Sequence, residues 1–165
     1  MFLMDLFRKF AEKRLDYVVV GGVALVLHGV VRLTADLDLV VALERDNLLV
    51  LLEAMKELGY RPRVPVQPEA LLDPDIRESW IREKSMEVFS FYDPGKPLAL
   101  VDIIIREAIS YQEIRDHAVL ITVDGLKVPV VAVEDLIRLK KIAGRPQDLE
   151  DIKSLEEGKR RASNA

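Results

Sequence analysis

Two aspartates separated by a single residue, Asp36 and Asp38, form the first pattern in the sequence that could carry chemistry. The apolar residues around them predict an internal β-strand over residues 36–43, in which side chains two positions apart point to the same face. Two carboxylates on one face of an internal strand repel each other and lose hydration, and a divalent cation relieves both effects. Hard oxygen ligands favour Mg²⁺ or Mn²⁺, whereas the alternative interpretation is a pair of solvated carboxylates at the end of a strand.

A third carboxylate, Asp102, is the only charged residue in the strongly apolar segment 98–105. Three carboxylates on two apolar strands are the usual ligands of a two-metal site for phosphoryl transfer. The alternative is a buried carboxylate that backbone N–H groups or an arginine satisfy. With Asp102 included, the candidate metal ligands come from two predicted strands instead of one.

Gly21 and Gly22 stand between a predicted strand and a predicted helix, shortly before the aspartate pair. Glycine lets the backbone approach a ligand closely, and the free N–H groups at the beginning of a helix favour phosphate. Two glycines alone are weak evidence, since any tight turn between a strand and a helix can use them. Their position before Asp36 makes them candidates for holding phosphate groups.

Hydrophobic periodicity predicts the elements that must position these residues. The predicted strands are residues 16–20, 36–43, 86–92, 98–105, 118–123 and 126–131. The predicted helices are residues 2–14, 23–29, 45–58, 75–84, 133–143 and 146–157, with a short one around 68–72 in a proline-rich loop over 62–75. Asp124–Gly125 is the signal for a tight hairpin.

This order predicts an α/β (or α+β) domain with a mixed β-sheet flanked by helices and with a C-terminal helical layer over about 133–157. We expect the whole chain, 1–165, to form a single domain whose last residues, 158–165, are frayed.

The composition limits the function classes. The 165 residues include no cysteine and two histidines, which excludes disulfide scaffolds, Cys-ligated metal sites, thiol catalysis and a His-rich metal site. The net charge of -4 argues against a protein that holds nucleic acid by bulk charge alone. No apolar run is long enough to span a membrane, and the charged N-terminal segment lacks the core of a signal peptide, so we expect a cytoplasmic protein.

Two segments together resemble a known family. The segment 21–41, GGVALVLHGVVRLTADLDLVV, resembles the signature of the nucleotidyltransferase superfamily, in which a helical turn opened by Gly-Gly or Gly-Ser precedes Asp-x-Asp on the next strand. The segment 135–152, DLIRLKKIAGRPQDLEDI, resembles the closing motif of the AbiEii-type toxin nucleotidyltransferases and their small, minimal relatives. Each motif alone is unspecific, and the combination is what carries the resemblance.

The resemblance implies a DNA polymerase β-like nucleotidyltransferase fold. Such an enzyme transfers a nucleoside monophosphate from a nucleoside triphosphate such as ATP to an acceptor hydroxyl and releases pyrophosphate. Asp36 and Asp38 would bind both metals, and Asp102 would bind the catalytic metal and help activate the acceptor. The residues that would bind the nucleotide are Gly21, Gly22, Arg32, Thr34 and Lys140.

The resemblance leaves the acceptor open among RNA (tRNA included), a protein or a small molecule, and it suggests the toxin of a toxin–antitoxin pair with an antitoxin protein as partner. The alternative is a catalytically inactive nucleotidyltransferase fold that serves as a binding or antitoxin module. Three costly carboxylates favour the enzyme. A dinucleotide-binding module is excluded because G-x-G-x-x-G and its acidic strand end are missing.

Several other residues have both a structural and a functional interpretation. Arg32 could bind a phosphate or be a solvated loop arginine. His28, on an apolar helix, is expected to make a structural hydrogen bond, and Trp80 to pack in the core rather than to stack on a base. A last group, Arg145, Asp148 and Asp151, could form a structural ion network or take part in catalysis.

Overall fold

The computed structural model describes residues 2–164, so Met1 and Ala165 of the expected domain lie outside the described residues. The strands are β1 (Tyr17–Val20), β2 (Leu37–Val41), β3 (Arg61–Pro62), β4 (Val88–Asp93), β5 (Lys96–Ile104), β6 (Val119–Val123) and β7 (Leu126–Val130). The helices are α1 (Phe2–Lys13), α2 (Gly21–Leu27), α3 (Arg45–Glu57), a 3₁₀ helix (Pro68–Leu72), α4 (Pro74–Lys84), α5 (Tyr111–His117), α6 (Val133–Ala143) and α7 (Pro146–Ser163).

The strands form one seven-stranded sheet in the order β3-β4-β5-β2-β1-β7-β6. The pairs β2–β5 and β1–β7 are parallel, and the other four are antiparallel. This confirms the predicted mixed sheet flanked by helices. The central position of β2, between β5 and β1, puts the strand that carries Asp38 where three sequence regions meet.

Alternation along the central strands separates an apolar face of the sheet from a polar one. Leu37, Leu39, Val101 and Ile103 are fully buried, whereas the residues between them on β2 and β5 include Asp38 and Asp102. Because side chains alternate across a strand, the two aspartates lie on the opposite face from these aliphatic residues. The candidate chemistry therefore lies on one face of β2 and β5, and apolar residues such as Val20 and Val40 are buried on that face of the sheet too.

Aromatic and aliphatic side chains fill the core behind that chemistry. Phe10 of α1 packs edge to face on Tyr17 of β1, with ring centroids 5.0 Å apart. Trp80 of α4 stacks on Phe89 of β4 at 5.5 Å. The largest fully buried side chains are Phe10, Phe89, Phe91, Leu6, Leu25, Leu37, Leu39, Leu48, Leu51, Met55, Leu71 and Ile103.

The structure differs most from the predicted elements at four places, and most other boundaries differ by one or two residues. β2 begins at Leu37, so Asp36 precedes the strand that was predicted to carry both aspartates. α5 was not predicted, although Ser110 caps it by accepting from the Glu113 N–H. β3 was not predicted either, and its two residues are too few to produce a periodic signal. α2 begins at Gly21 instead of residue 23, and α7 continues to Ser163 instead of residue 157. Within residues 2–164, no helix is both long and apolar enough to cross a bilayer.

Candidate active site

Three polar side chains lie in one row across the polar face of the sheet. Asp38 on β2 is the direct register partner of Asp102 on β5, and Asp102 is the register partner of Ser90 on β4. Side chains at directly paired positions project from the same face, so the row runs Asp38–Asp102–Ser90. The Ser90 hydroxyl donates a hydrogen bond to Asp102 Oδ1 at 2.6 Å.

Asp36 joins the row from the loop that leads into β2. Its Oδ1 accepts a hydrogen bond of 3.1 Å from the backbone N–H of Leu100 on β5. Thr34, two residues earlier, hydrogen-bonds through its hydroxyl to the Asp36 carbonyl oxygen at 3.3 Å. These contacts hold the loop before β2 against the neighbouring strand, so that Asp36 and Asp38 both face the same space.

The carboxyl group of Asp38 is under electrostatic stress. Burial raises its pKa, and the repulsion from Asp102, a hydrogen bond shared with Asp102 and the charge of Asp36 raise it further, to about 7. The backbone N–H of Gly22 donates to the same carboxyl group and acts in the opposite direction. Within residues 2–164, no lysine or arginine forms an ion pair with Asp36, Asp38 or Asp102, so this negative charge is uncompensated.

Gly21 and Gly22 pack directly on the aspartate loop. Gly21 has a φ of +69°, and a Cβ at this position would lie 2.1 Å from Asp38 Oδ2. A Cβ on Gly22 would lie 2.7 Å from the Thr34 hydroxyl oxygen. Both the backbone conformation and the space therefore require glycine at position 21, and the Gly22 N–H donates to Asp38.

A cleft of about 1170 Å³ opens above the row. All eight residues that the sequence predicted for the site line this cleft: Gly21, Gly22, Arg32, Thr34, Asp36, Asp38, Asp102 and Lys140. They come from α2, the loop before β2, β2 itself, β5 and α6, which include segments far apart in the sequence. The structure thus brings the predicted set together in one concave site.

The cations of the cleft are held by carboxylates of α7. Lys140 Nζ, on α6, contacts Asp151 Oδ2 at 2.9 Å and Asp148 Oδ1 at 3.5 Å, and its side chain is 9% exposed. Arg32 pairs with the same Asp151 oxygen from the loop before β2. Arg145 donates through Nε to Asp148 Oδ2 at 2.8 Å. The predicted ion network around Asp148 and Asp151 is therefore present.

Asp151 is the centre of that network. Burial alone would raise its pKa, but hydrogen bonds from Lys140 and Gln147 lower the pKa below its ordinary value, so the carboxylate stays ionised. The two cations reach it from opposite ends of the chain, Arg32 from 119 positions away. Asp151 thus ties the loop before β2 to the C-terminal helices.

The structure also settles the other candidate residues. His28 Nε2 hydrogen-bonds to the Val131 carbonyl oxygen at 2.7 Å, the structural bond expected for it. Trp80 is buried against Phe89, which confirms the core interpretation. The sequence analysis missed Ser90, which the alternating pattern of β4 places on the polar face but does not mark as special.

The residues of the cleft fit a hard divalent cation by their chemistry. Their donors are carboxylate oxygens, which such cations prefer. Repulsion from Asp102 and Asp36 contributes to the raised pKa of Asp38, and a bound cation would relieve that repulsion. Asp36, Asp38 and Asp102 do not form a compact group, since within residues 2–164 only one set of three metal-ligating side chains has all its ligand atoms within 4.8 Å of one another.

That compact set is Glu113, His117 and Asp135, outside the cleft. Arg138 pairs with both of its carboxylates, contacting Asp135 Oδ1 at 2.9 Å. His117 Nδ1 lies 2.8 Å from Asp135 Oδ2. Arginine and histidine therefore already satisfy these acids, and the cluster is explained as an ion-pair network.

A family model described as nucleotidyl transferase AbiEii toxin, type IV toxin–antitoxin system, matches residues 4–160. No curated protein matches the sequence at a significant level.

Solved structures share the fold at low sequence identity. The lincomycin-bound lincosamide antibiotic adenylyltransferase LnuA aligns with a TM-score of 0.59 and 15% identity, over 94% of this chain and 92% of that chain. ANT(2″)-Ia in complex with adenylyl-2″-tobramycin aligns with a TM-score of 0.61 and 16% identity, over 99% and 97%. A Thermotoga maritima protein described as a nucleotidyltransferase gives 0.59 and 14%, over 94% and 90%. These similarities establish the fold.

The raised pKa of Asp38 predicts that the stability of the metal-free protein depends on pH. Between about pH 4 and about pH 7 the folded protein holds a proton on Asp38 that the unfolded chain has released, so ionisation of this group lowers stability as the pH rises. Asp38→Asn should therefore stabilise the protein more at about pH 8 than at about pH 5, by on the order of a few kcal/mol. Urea unfolding with a chelator present measures the difference.

The matched control is Asp46→Asn, which removes an exposed carboxylate at the start of α3. Its effect on the free energy of unfolding should be the same at both pH values. An Asp38→Asn effect that is equally independent of pH would show that the folded protein does not stress this carboxyl group.

The ion network predicts a second stability effect. Asp151→Asn should lower the free energy of unfolding by about 3 kcal/mol, because it leaves Lys140 buried with a weakened partner and releases Arg32. Glu150→Gln, next to it on α7 and exposed, breaks only a surface pair with Lys153 and should change stability by less than about 0.5 kcal/mol. Equal effects of the two substitutions in urea unfolding would contradict the assignment of Asp151 as the centre.

Proposed function

The chain belongs to the AbiEii nucleotidyltransferase family, and from this premise we propose that it is an active, metal-dependent enzyme. It transfers a nucleoside monophosphate from a nucleoside triphosphate, with ATP as the first candidate, to an acceptor hydroxyl. The observation that carries the proposal is the direct opposition of Asp38 and Asp102 on neighbouring parallel strands, with Asp36 and the Gly21–Gly22 turn in the same cleft.

The carboxylates are proposed to form the reaction centre. A divalent cation, Mg²⁺ or Mn²⁺, bound by Asp36, Asp38 and Asp102 would supply the positive charge that a triphosphate needs at the attacked phosphorus and at the leaving pyrophosphate. Asp102 lies on the β4–β5 side of the row, away from the glycine turn. It is therefore the carboxylate assigned to the acceptor hydroxyl, whose proton it accepts as the oxygen attacks.

The opposite side of the cleft is assigned to the triphosphate. Gly21 and Gly22 offer backbone close to the aspartates, and Thr34 lies against Gly22 with an exposed hydroxyl group. Arg32 and Lys140 both line the cleft, held together by Asp151. In this proposal the side chains of Arg32 and Lys140 contact phosphate oxygens at the rim of the cleft. Asp151 positions both side chains before the nucleotide binds.

The charges that line the cleft favour some classes of acceptor over others. Every lysine or arginine that lines it in the described chain is ion-paired: Arg32, Arg106, Lys140 and Arg145. With a net charge of -4, such a site attracts a polyanion poorly. We therefore rank a small hydroxyl compound or a protein side chain above tRNA as the acceptor. The structural neighbours are described with lincomycin and with adenylyl-tobramycin, which are small molecules.

The description of the family supports a proposal for the biological role. The matching family is described as a toxin of a type IV toxin–antitoxin system. We propose the same role here, in the cytoplasm, with an antitoxin protein as partner. The competing hypothesis is an inactive fold that serves as a binding or antitoxin module, and the absence of any nucleotide binding would favour it.

The first experiment measures nucleotide use directly. The protein is incubated with each α-labelled nucleoside triphosphate, Mg²⁺ and a panel of acceptors containing tRNA, an aminoglycoside, a lincosamide and a cell extract. Labelled acceptor together with released pyrophosphate is the expected result. If no nucleotide is consumed and none raises the melting temperature with Mg²⁺, the enzyme proposal is wrong.

Asp102→Asn separates a reacting carboxylate from a structural one. We expect the variant to keep the thermal stabilisation by the nucleotide complex that Asp36 and Asp38 hold, but to bind Mn²⁺ alone at least about tenfold more weakly. It should lose about 100-fold or more in kcat, about 2.7 kcal/mol of activation free energy. Asp116→Asn, on the exposed surface of α5, should behave as the wild type. Retained turnover with reduced stability would instead identify Asp102 as a structural acid.

A further inference from the structure

Ser90 is the one residue of the polar row to which the proposed reaction gives no role. It lies on β4 directly opposite Asp102, and its hydroxyl donates to Asp102 Oδ1 at 2.6 Å. This distance is at the short end of the range for O–H···O hydrogen bonds, about 2.5–3.0 Å. Ser90 is not among the residues that line the cleft, and the hydrogen bond of its hydroxyl goes to Asp102, which does line it.

Two kinds of partner could fix the orientation of a half-buried carboxylate. An arginine or lysine would hold it but would also neutralise it, and that cation would compete with any metal ion. A serine hydroxyl is neutral, so it fixes the carboxylate and leaves its charge available. In the described chain Asp102 has no salt bridge, and its contacts are Ser90 on one side and Asp38 on the other.

The strand register makes this contact a precise one. Ser90 and Asp102 are held opposite each other by the antiparallel β4–β5 pair, which is in continuous register from Val88 to Tyr92. Asp102 and Asp38 are held by the parallel β2–β5 pair. A carboxylate that is fixed through one oxygen by a neighbour on a strand cannot rotate freely, and its second oxygen is directed by the first contact.

We propose that Ser90 is a positioning residue that holds the Asp102 carboxylate toward Asp38 and the cation site. The role of that site rests on the proposed function, whereas the contact itself does not. The hydroxyl group, not the volume of the side chain, is what matters. Serine and threonine at position 90 should therefore behave alike, and residues of the same size without a hydroxyl should not.

The test uses four variants of the full chain. Ser90→Ala removes the hydroxyl, and Ser90→Thr with Ser90→Val forms a pair of nearly equal shape that differs in the hydroxyl. Both β-branched residues suit a strand. Ser79→Ala is the control, since Ser79 is a half-buried serine whose hydroxyl bonds only the Ile76 carbonyl oxygen within α4. Mn²⁺ binding is measured by electron paramagnetic resonance, and pyrophosphate release gives kcat and KM for the nucleotide.

Loss of the hydroxyl should weaken Mn²⁺ binding by about tenfold or more and lower kcat similarly, with KM for the nucleotide changed less than about twofold. Ser90→Thr should recover both quantities, and Ser79→Ala should leave them unchanged. The proposal is overturned if Ser90→Val matches Ser90→Thr in Mn²⁺ affinity while both are folded. If the wild type binds Mn²⁺ but uses no nucleotide, the proposed function fails, and the Mn²⁺ comparison still decides the role of Ser90.

Discussion

The repulsion between Asp38 and Asp102 is the constraint on which the rest of the site depends. The parallel pairing of β2 and β5 places the two carboxyl groups directly opposite each other, and burial together with this neighbour raises the pKa of Asp38 to about 7. A fold that minimised its energy in water alone would place aliphatic residues at both positions, as it does on the other face of the same strands. Neutral groups donate hydrogen bonds to both carboxyl groups. The Gly22 N–H donates to Asp38, and the Ser90 hydroxyl donates to Asp102.

The positively charged side chains Arg32, Lys140 and Arg145 line another wall of the cleft, where carboxylates of α7 pair with them. Asp151 accepts from Lys140 and pairs with Arg32, and Asp148 accepts from Arg145. Because Arg32 belongs to the loop that leads into β2, this network connects the C-terminal helices to the aspartate strand. In the described chain, the carboxylates of α7 are therefore paired with lysine or arginine, whereas those on the sheet are not.

The sequence predicted which residues meet in the cleft better than it predicted their contacts. Asp36, Asp38 and Asp102 could be found because a carboxylate within an apolar strand costs free energy and is conspicuous. The helix and strand pattern was also predictable, apart from α5 and the two-residue β3. The register that puts Ser90 opposite Asp102, and the ion pair that joins residues 32 and 151, could not be predicted. They depend on which strands and helices become neighbours, and residue spacing along the chain carries no such information.

The same reasoning explains why two lysines side by side on α6 have different environments. Lys140 is buried on Asp148 and Asp151, whereas Lys141 is exposed. On a helix adjacent residues are about 100° apart, so only one of them can face α7. The ammonium group of Lys140 contacts two carboxylates, and this pairing offsets the cost of burying its charge. In the proposed reaction, a phosphate group at Lys140 would compete with Asp151, and the strength of that competition would set how tightly this wall of the cleft holds the nucleotide.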